Sequence, residues 1–285
     1  MTDQSKGLLI TFLGVLFVVP DALFVRLIDA DALVIAFWRG LISGCVILLG
    51  VLIYQGPHPV KAVFKTGRFG FIYIFSLGCS GTMFVLAVSM TSVANVVFII
   101  ASLPVFAALY SRIFLKEPIR PRMIATMAAV AVGLAIIGYG SGETKGAHWS
   151  GDLMALGVSA IFAAGLTAAR RVKQVSMVPA VPVAYIGASL ILLLIINPFS
   201  VPNGQWGLVA FHGSFIVVSA SLLALGPRYI TSAEVGLLIL LESVLAPLLA
   251  WALLDENPGI WALSGGAVVV VALAISNTIA LARQR

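Results

Sequence analysis

Glu242, Arg39 and His212 are ionisable residues embedded in long apolar runs of a 285-residue chain. A charged side chain at membrane depth costs ~2.5–3.5 kcal/mol on insertion scales, so each demands a partner or a function. Glu242 stands eight residues into its apolar run, or ~12 Å along a helix at 1.5 Å per residue. Arg39 lies at similar depth in its own run, and His212 nearer the end of its run. A carboxylate and a guanidinium at one depth could meet the ammonium and carboxylate of a zwitterion, or gate its path. They could equally pair with each other and hold two helices together. His212 has the plainer reading of a satisfied interfacial histidine. Asp21, beside Pro20 near the end of the first run, reads as a solvated helix end.

Helical spacing groups further polar and aromatic residues. Asn95, Phe98 and Ser102 share one helical face, Tyr73, Ser76 and Ser80 a second, and His212, Phe215 and Ser219 a third. Hydroxyls mixed with aromatic rings suit an amphipathic small ligand, while ordinary interhelical hydrogen bonding explains any one face alone. Pro104 and Pro247 stand mid-run. Each removes a backbone donor and frees a carbonyl one turn earlier, which marks a helix kink and either a cavity or a packing bend. Cys45 and Cys79 both lie in apolar runs and suggest neither a disulfide framework nor a metal cluster.

These residues need membrane spans to position them. The chain is 61% apolar and 10% charged with mean hydropathy +1.11, against ~25% charge in soluble domains. Ten apolar runs are expected as spans, at 7–25, 32–54, 69–89, 92–114, 122–140, 152–170, 180–197, 207–226, 234–254 and 260–281. Of the 17 Lys and Arg residues, fourteen fall between spans on one side, two on the other and Arg39 inside. The positive-inside rule then makes both termini cytoplasmic. The net charge of +6 is thus a topology signal and implies no nucleic-acid partner.

The chain also repeats itself. Thr91 to Pro118, with its Lys116-Glu117-Pro118 turn, has a second copy from Thr231 to Pro258, ending Asp255-Glu256-Asn257-Pro258. Thr91-Ser92 and Pro118 match Thr231-Ser232 and Pro258 at one spacing of 140. Residues 1–144 and 145–285 therefore form two halves of five spans, joined by the polar linker Ser141–Ser150 with no soluble domain. An odd number per half inverts the second in the membrane, and substrate sites of such inverted repeats lie near the midplane. The expected fold is all-α and integral to the membrane: ten transmembrane helices in two inverted five-helix repeats around a central cavity. Gly40-x-x-x-Gly44 is a small-residue helix contact.

Together these features resemble the drug/metabolite transporter superfamily, and within it the EamA family of bacterial permeases. The likeness rests on Ala36-Phe37-Trp38-Arg39, on the Thr91–Pro118 stretch and its weaker second copy, and on the Gly133–Gly138 end of the fifth span. It is similar further to bacterial amino-acid exporters of the YddG type. That resemblance implies a multi-pass protein of the bacterial inner (plasma) membrane. It implies export of neutral and aromatic amino acids and similar small metabolites by alternating access, with no cofactor or metal. Such transport is facilitated, exchange-based or coupled to an ion gradient, with a proton as the candidate coupling ion. A drug or toxic-metabolite efflux permease of the same fold is the alternative. The seventh span departs from the pattern, carrying no arginine to match Arg39, and Glu242 stands where the fourth span has Ser102.

A remoter reading is enzymatic. Gly78-Cys79-Ser80-Gly81 matches the GxSG motif of rhomboid intramembrane serine proteases, with Ser80 as nucleophile and His212 as base. That family has fewer spans and no five-helix duplication. The chain carries no G-x-x-x-x-G-K-[ST] phosphate loop, so the expectation is no enzyme.

Overall fold

The computed structural model describes residues 3–116, 118–119, 121–141, 148–172, 174–225, 229–230 and 232–282, most of them helical and with no strand among them. Glu117, Thr231, most of the linker and the 144/145 boundary lie outside the described residues. The helices are α1 (Asp3–Val18), α2 (Asp21–Leu27), α3 (Ala32–Gln55), α4 (His58–Phe64), α5 (Arg68–Met90), α6 (Val93–Ile100) and α7 (Leu103–Tyr110). They continue with α8 (Pro121–Gly140), α9 (Trp149–Arg171), α10 (Ala180–Leu192), α11 (Trp206–Leu225), α12 (Ser232–Leu254) and α13 (Gly259–Ala282).

Eight helical segments are long and apolar enough to cross a membrane: 3–27, 32–55, 68–90, 93–115, 121–140, 149–171, 203–225 and 259–279. Two shorter apolar helices, Ala180–Leu192 and Leu238–Leu254, accompany them. The run expected over 180–197 is helical only to Leu192. Beyond it Leu194 and Ile195 bond three residues back, to Ile191 and Leu192. This tightened end precedes Asn197-Pro198, where the residue before proline avoids helical backbone.

Prolines divide two of the long segments. Pro20 separates α1 from α2 and is the N-cap of α2, where its missing N–H leaves no bond unmade. Pro104 sits in the first turn of α7, so the fourth segment breaks at Ala101-Ser102. A π-helical turn, Ser111–Leu115, then extends α7. Pro247 differs: α12 runs unbroken through it. The two repeated stretches end alike, with Lys116 (φ 59) and Asp255 (φ 53) in the left-handed region. A left-handed residue stops a helix and reverses the chain. A non-glycine there costs ~1–3 kcal/mol, and this chain accepts that cost at corresponding ends of both repeats.

The packing partners form a symmetric set. α5 lies along α9 and α1 along α11; α3 meets α11 and α5 meets α10; α3 crosses α10, α6 meets α12, and α8 crosses α13. Exchanging α1–α2 with α9, α3 with α10, α5 with α11, α6–α7 with α12 and α8 with α13 maps these contacts onto themselves. Glycines make two of the three self-paired contacts, α3 with α10 and α8 with α13, close. A Cβ on Gly40 would stand 2.6 Å from Ser189 Oγ and one on Gly44 2.8 Å from Ile186. At the other crossing, a Cβ on Gly133 would meet the Gly265 carbonyl at 2.7 Å, and one on Gly265 would meet that of Gly133 at 2.5 Å. The largest buried cluster draws residues from α1, α2, α3, α5, α6, α8, α9, α10, α11, α12 and α13.

Candidate functional site

Because Pro20 ends α1, Asp21 becomes the first residue of α2 and lies within the helix bundle. It is 2% exposed, which corrects the expectation of a solvated helix end. The sequence places it near the end of a hydrophobic run, but α2 continues six residues further and carries the true end to Leu27. Its carboxylate is gripped from two other helices. Arg39 of α3 donates from Nε to Oδ1 at 2.9 Å and from Nη2 to Oδ2 at 2.5 Å. His212 of α11 brings Nε2 to 2.7 Å from Oδ1, an ion pair when the imidazole is protonated. Phe24, one turn along α2, stacks on the His212 ring at 5.3 Å and 23°. Charged hydrogen bonds of this bidentate kind are the strong ones, and residues 18 and 191 positions apart are joined by them.

Around this pair the other predicted residues divide. The far side of Arg39 faces the Phe84 ring, 5.8 Å from its Cζ, and Gly81, where a Cβ would lie 3.5 Å from Nη1 and 3.9 Å from Tyr185. Tyr185 and Glu242 both interact electrostatically with Arg39, and Tyr73 with Tyr185. Glu242 is half-buried and lies within electrostatic reach of Asp21. At ~100° per residue it points away from the exposed stripe of Val244, Leu248 and Trp251. Among the described residues it has no hydrogen bond or ion pair. Arg39 is therefore paired with Asp21 and not with Glu242. Phe215 belongs to an aromatic cluster beside the site, with ring centroids 5.3 Å from both Phe17 and Phe24 and 5.0 Å from Phe211.

The face of Asn95, Phe98 and Ser102 packs elsewhere. Asn95 donates to Ser141 Oγ at 2.9 Å and to Asp152 Oδ1 at 3.1 Å, while Thr91 donates to the same oxygen at 2.8 Å. Ser141 also hydrogen-bonds Asp152. Phe98 fills the space over Gly266 of α13, where a Cβ would stand 2.4 Å from its ring. The helix break before Pro104 frees the Ile100 carbonyl, and Ser159 of α9 donates to it at 3.2 Å. Ser102 in turn lies 3.4 Å from Ser159 Oγ. The carbonyl is met by a neighbouring helix, so this break reads as packing.

Two of the remaining serines are also structural. Ser76 is buried against Gly165 of α9, where a Cβ would stand 2.8 Å from the Ser76 Cβ. Ser80 donates to Leu77 of its own helix at 3.2 Å. Ser219 is buried on α11. Since Ser80 bonds Leu77 and His212 bonds Asp21, the serine and histidine are not joined as nucleophile and base. Asp21, Asp152 and Tyr185 are the residues that sequence reasoning missed. A carboxylate within an apolar run was the available signal for Asp21, and the adjacent proline obscured it.

Comparison with known proteins follows the symmetry of the packing. The EamA-like transporter family model matches twice, over residues 5–139 and 149–278. The chain belongs to the EamA-like transporter family. It is accordingly a multi-pass membrane protein with a two-repeat architecture, and members of this family are transporters, generally not enzymes. No curated protein matches the chain significantly. One solved structure, described only as the crystal structure of a protein, superposes with a TM-score of 0.68. It covers 99% of this EamA-like chain and 99% of its own at 18% identity, a likeness of fold alone.

Proposed function

We propose that this EamA-like protein exports amino acids, neutral and aromatic ones among them, and similar small metabolites by alternating access across the bacterial inner membrane. In this reading ten helices span the bilayer in two inverted five-helix repeats, residues 1–144 and 145–285, with both termini cytoplasmic. A proton gradient drives export.

One observation carries the reading. A buried polar centre is assembled from both halves of the chain, with Asp21 and Arg39 from the first and His212 and Glu242 from the second. Charged groups facing a bundle interior mark transport pathways, and a site shared by both repeats changes whenever they move against each other. Tyr73, Tyr185 and Phe84 add rings beside the charges. The aromatic group of Phe17, Phe24, Phe211 and Phe215 favours a second reading, efflux of apolar drugs or toxic metabolites through the same fold.

Uptake of labelled amino acids into proteoliposomes, with and without a pH gradient, tests the proposal. Transport of phenylalanine that responds to the gradient is expected. Glu242→Gln, folded and reconstituted at the wild-type level, is expected to cut that transport tenfold or more, because a charged hydrogen bond is worth ~1.5–3 kcal/mol. Movement of apolar dyes but of no amino acid would favour the efflux reading.

A further inference from the structure

We propose that the polar centre binds its substrate through a single ammonium at Glu242 and makes no attractive contact with a substrate carboxylate, so that its ligand class is protonated amines. This rests on the transport reading above and narrows the substrate of the same site.

The argument is one of charge and partners. Asp21 of α2 holds the Arg39 guanidinium, and a second carboxyl group, Glu242, stands on α12, which packs against α2. The guanidinium already holds Asp21 in a two-pronged bond, with Nε and Nη2 both engaged. Its remaining edge, Nη1, faces Gly81 and the Phe84 ring. His212 gives Asp21 its second partner, so any positive charge on the imidazole also falls on Asp21 and not on Glu242. Glu242 is left without a donor among the described residues, half-buried and turned inward.

A carboxylate brought to Arg39 would meet the like charge of Asp21, already bonded to that guanidinium at 2.9 and 2.5 Å, which is repulsive in low dielectric. An ammonium brought to Glu242 would supply the cation that this carboxylate lacks. The Phe84 ring lies under the Arg39 guanidinium, and a ring face there attracts a cation and not an anion. The zwitterion reading, with Arg39 and Glu242 each taking one end, requires Arg39 to leave Asp21. An amine requires no bond to break.

Three congeners with a common ring test this: 2-phenylethylamine carries only the ammonium, 3-phenylpropionate only the carboxylate, and phenylalanine both. Binding to the purified full-length protein is read from ligand-induced shifts in thermal unfolding, and transport from counterflow in proteoliposomes. The amine is expected to bind at least tenfold more tightly than the carboxylate and no more weakly than phenylalanine. Glu242→Gln is expected to weaken the amine tenfold or more while Glu242→Asp retains it. If Glu242→Gln does not fold, the ranking of the three congeners on the wild-type protein decides. Equal binding of the carboxylate, tenfold tighter binding of phenylalanine than of the amine, or no binding of the amine would overturn the proposal. Amine binding with no phenylalanine transport would leave it standing while removing amino-acid export. Phenylalanine transport without amine binding would do the reverse.

Discussion

The carboxylate of Glu256 lies 3.2 Å from the Arg26 guanidinium, and its other oxygen accepts the backbone N–H of Val93 at 2.6 Å. Arg26 also donates from Nη2 to the Thr91 carbonyl at 2.8 Å. The acidic-proline turn of the second repeat thus caps the N-terminus of α6 in the first, where a negative charge is favoured by the helix dipole. The end of α2 is bound into the same junction. The Trp38 indole donating to the Pro198 carbonyl and the Asp29 N–H donating to Gln205 also tie the two halves together, on the side that the proposed orientation makes the outer one.

In the proposed orientation this junction lies on the outer face, and the proposed alternating access requires it to open. Losing a helix cap costs ~0.5–2 kcal/mol and a partly exposed ion pair adds at most about 1 kcal/mol. Glu256→Ala is therefore expected to raise the labelling rate of Val93→Cys from outside by roughly five- to thirty-fold with an impermeant maleimide. An unchanged rate would show that the junction does not hold the outer face shut.

The Asp21–Arg39 pair predicts a contrast between single and double variants. Both side chains are buried, and removing one partner of a buried pair costs ~3–5 kcal/mol while replacing both is often near neutral. Asp21→Leu and Arg39→Met should each lower Tm clearly in detergent, and the double variant should recover most of the loss. Additive losses in the double variant would mean that the pair is not an independent stabilising unit.

The glycine crossing of α8 and α13 predicts a matched response. Because each Cβ would collide with the opposite backbone, Gly133→Val and Gly265→Val should each destabilise by ~1–3 kcal/mol through overpacking. The lost fraction of monodisperse protein in size-exclusion chromatography measures this. Tolerance at one position with collapse at the other would argue against the mutual contact.

Orientation in the membrane follows from the distribution of basic residues. A cysteine at Asn203 should react with an impermeant reagent applied outside whole cells, and one at Lys65 should not. The reverse pattern would place both termini outside and turn the proposed export direction around.

The amino-acid sequence by itself determined the membrane class, the apolar segments, the internal repeat and the proline break at Pro104. It pointed to a second break at Pro247, where α12 runs on, and not to the one at Pro20. The features it determined depend on run length, spacing and local backbone chemistry, all of which are written along the chain. It also marked Arg39, His212 and Glu242 as ionisable residues out of place. Only the tertiary structure decided which charges meet. Asp21 looked like a helix end because its local context is a proline near the limit of an apolar run, whereas its burial comes from Arg39 and His212 on other helices. Likewise Asn95 and Ser102 share a helical face with the expected cavity pattern, yet Asp152, Ser141 and Ser159 of neighbouring segments satisfy them. A helical face is a local property, but its partner is set by the crossing of separate helices, and periodicity along one helix carries no information about the other.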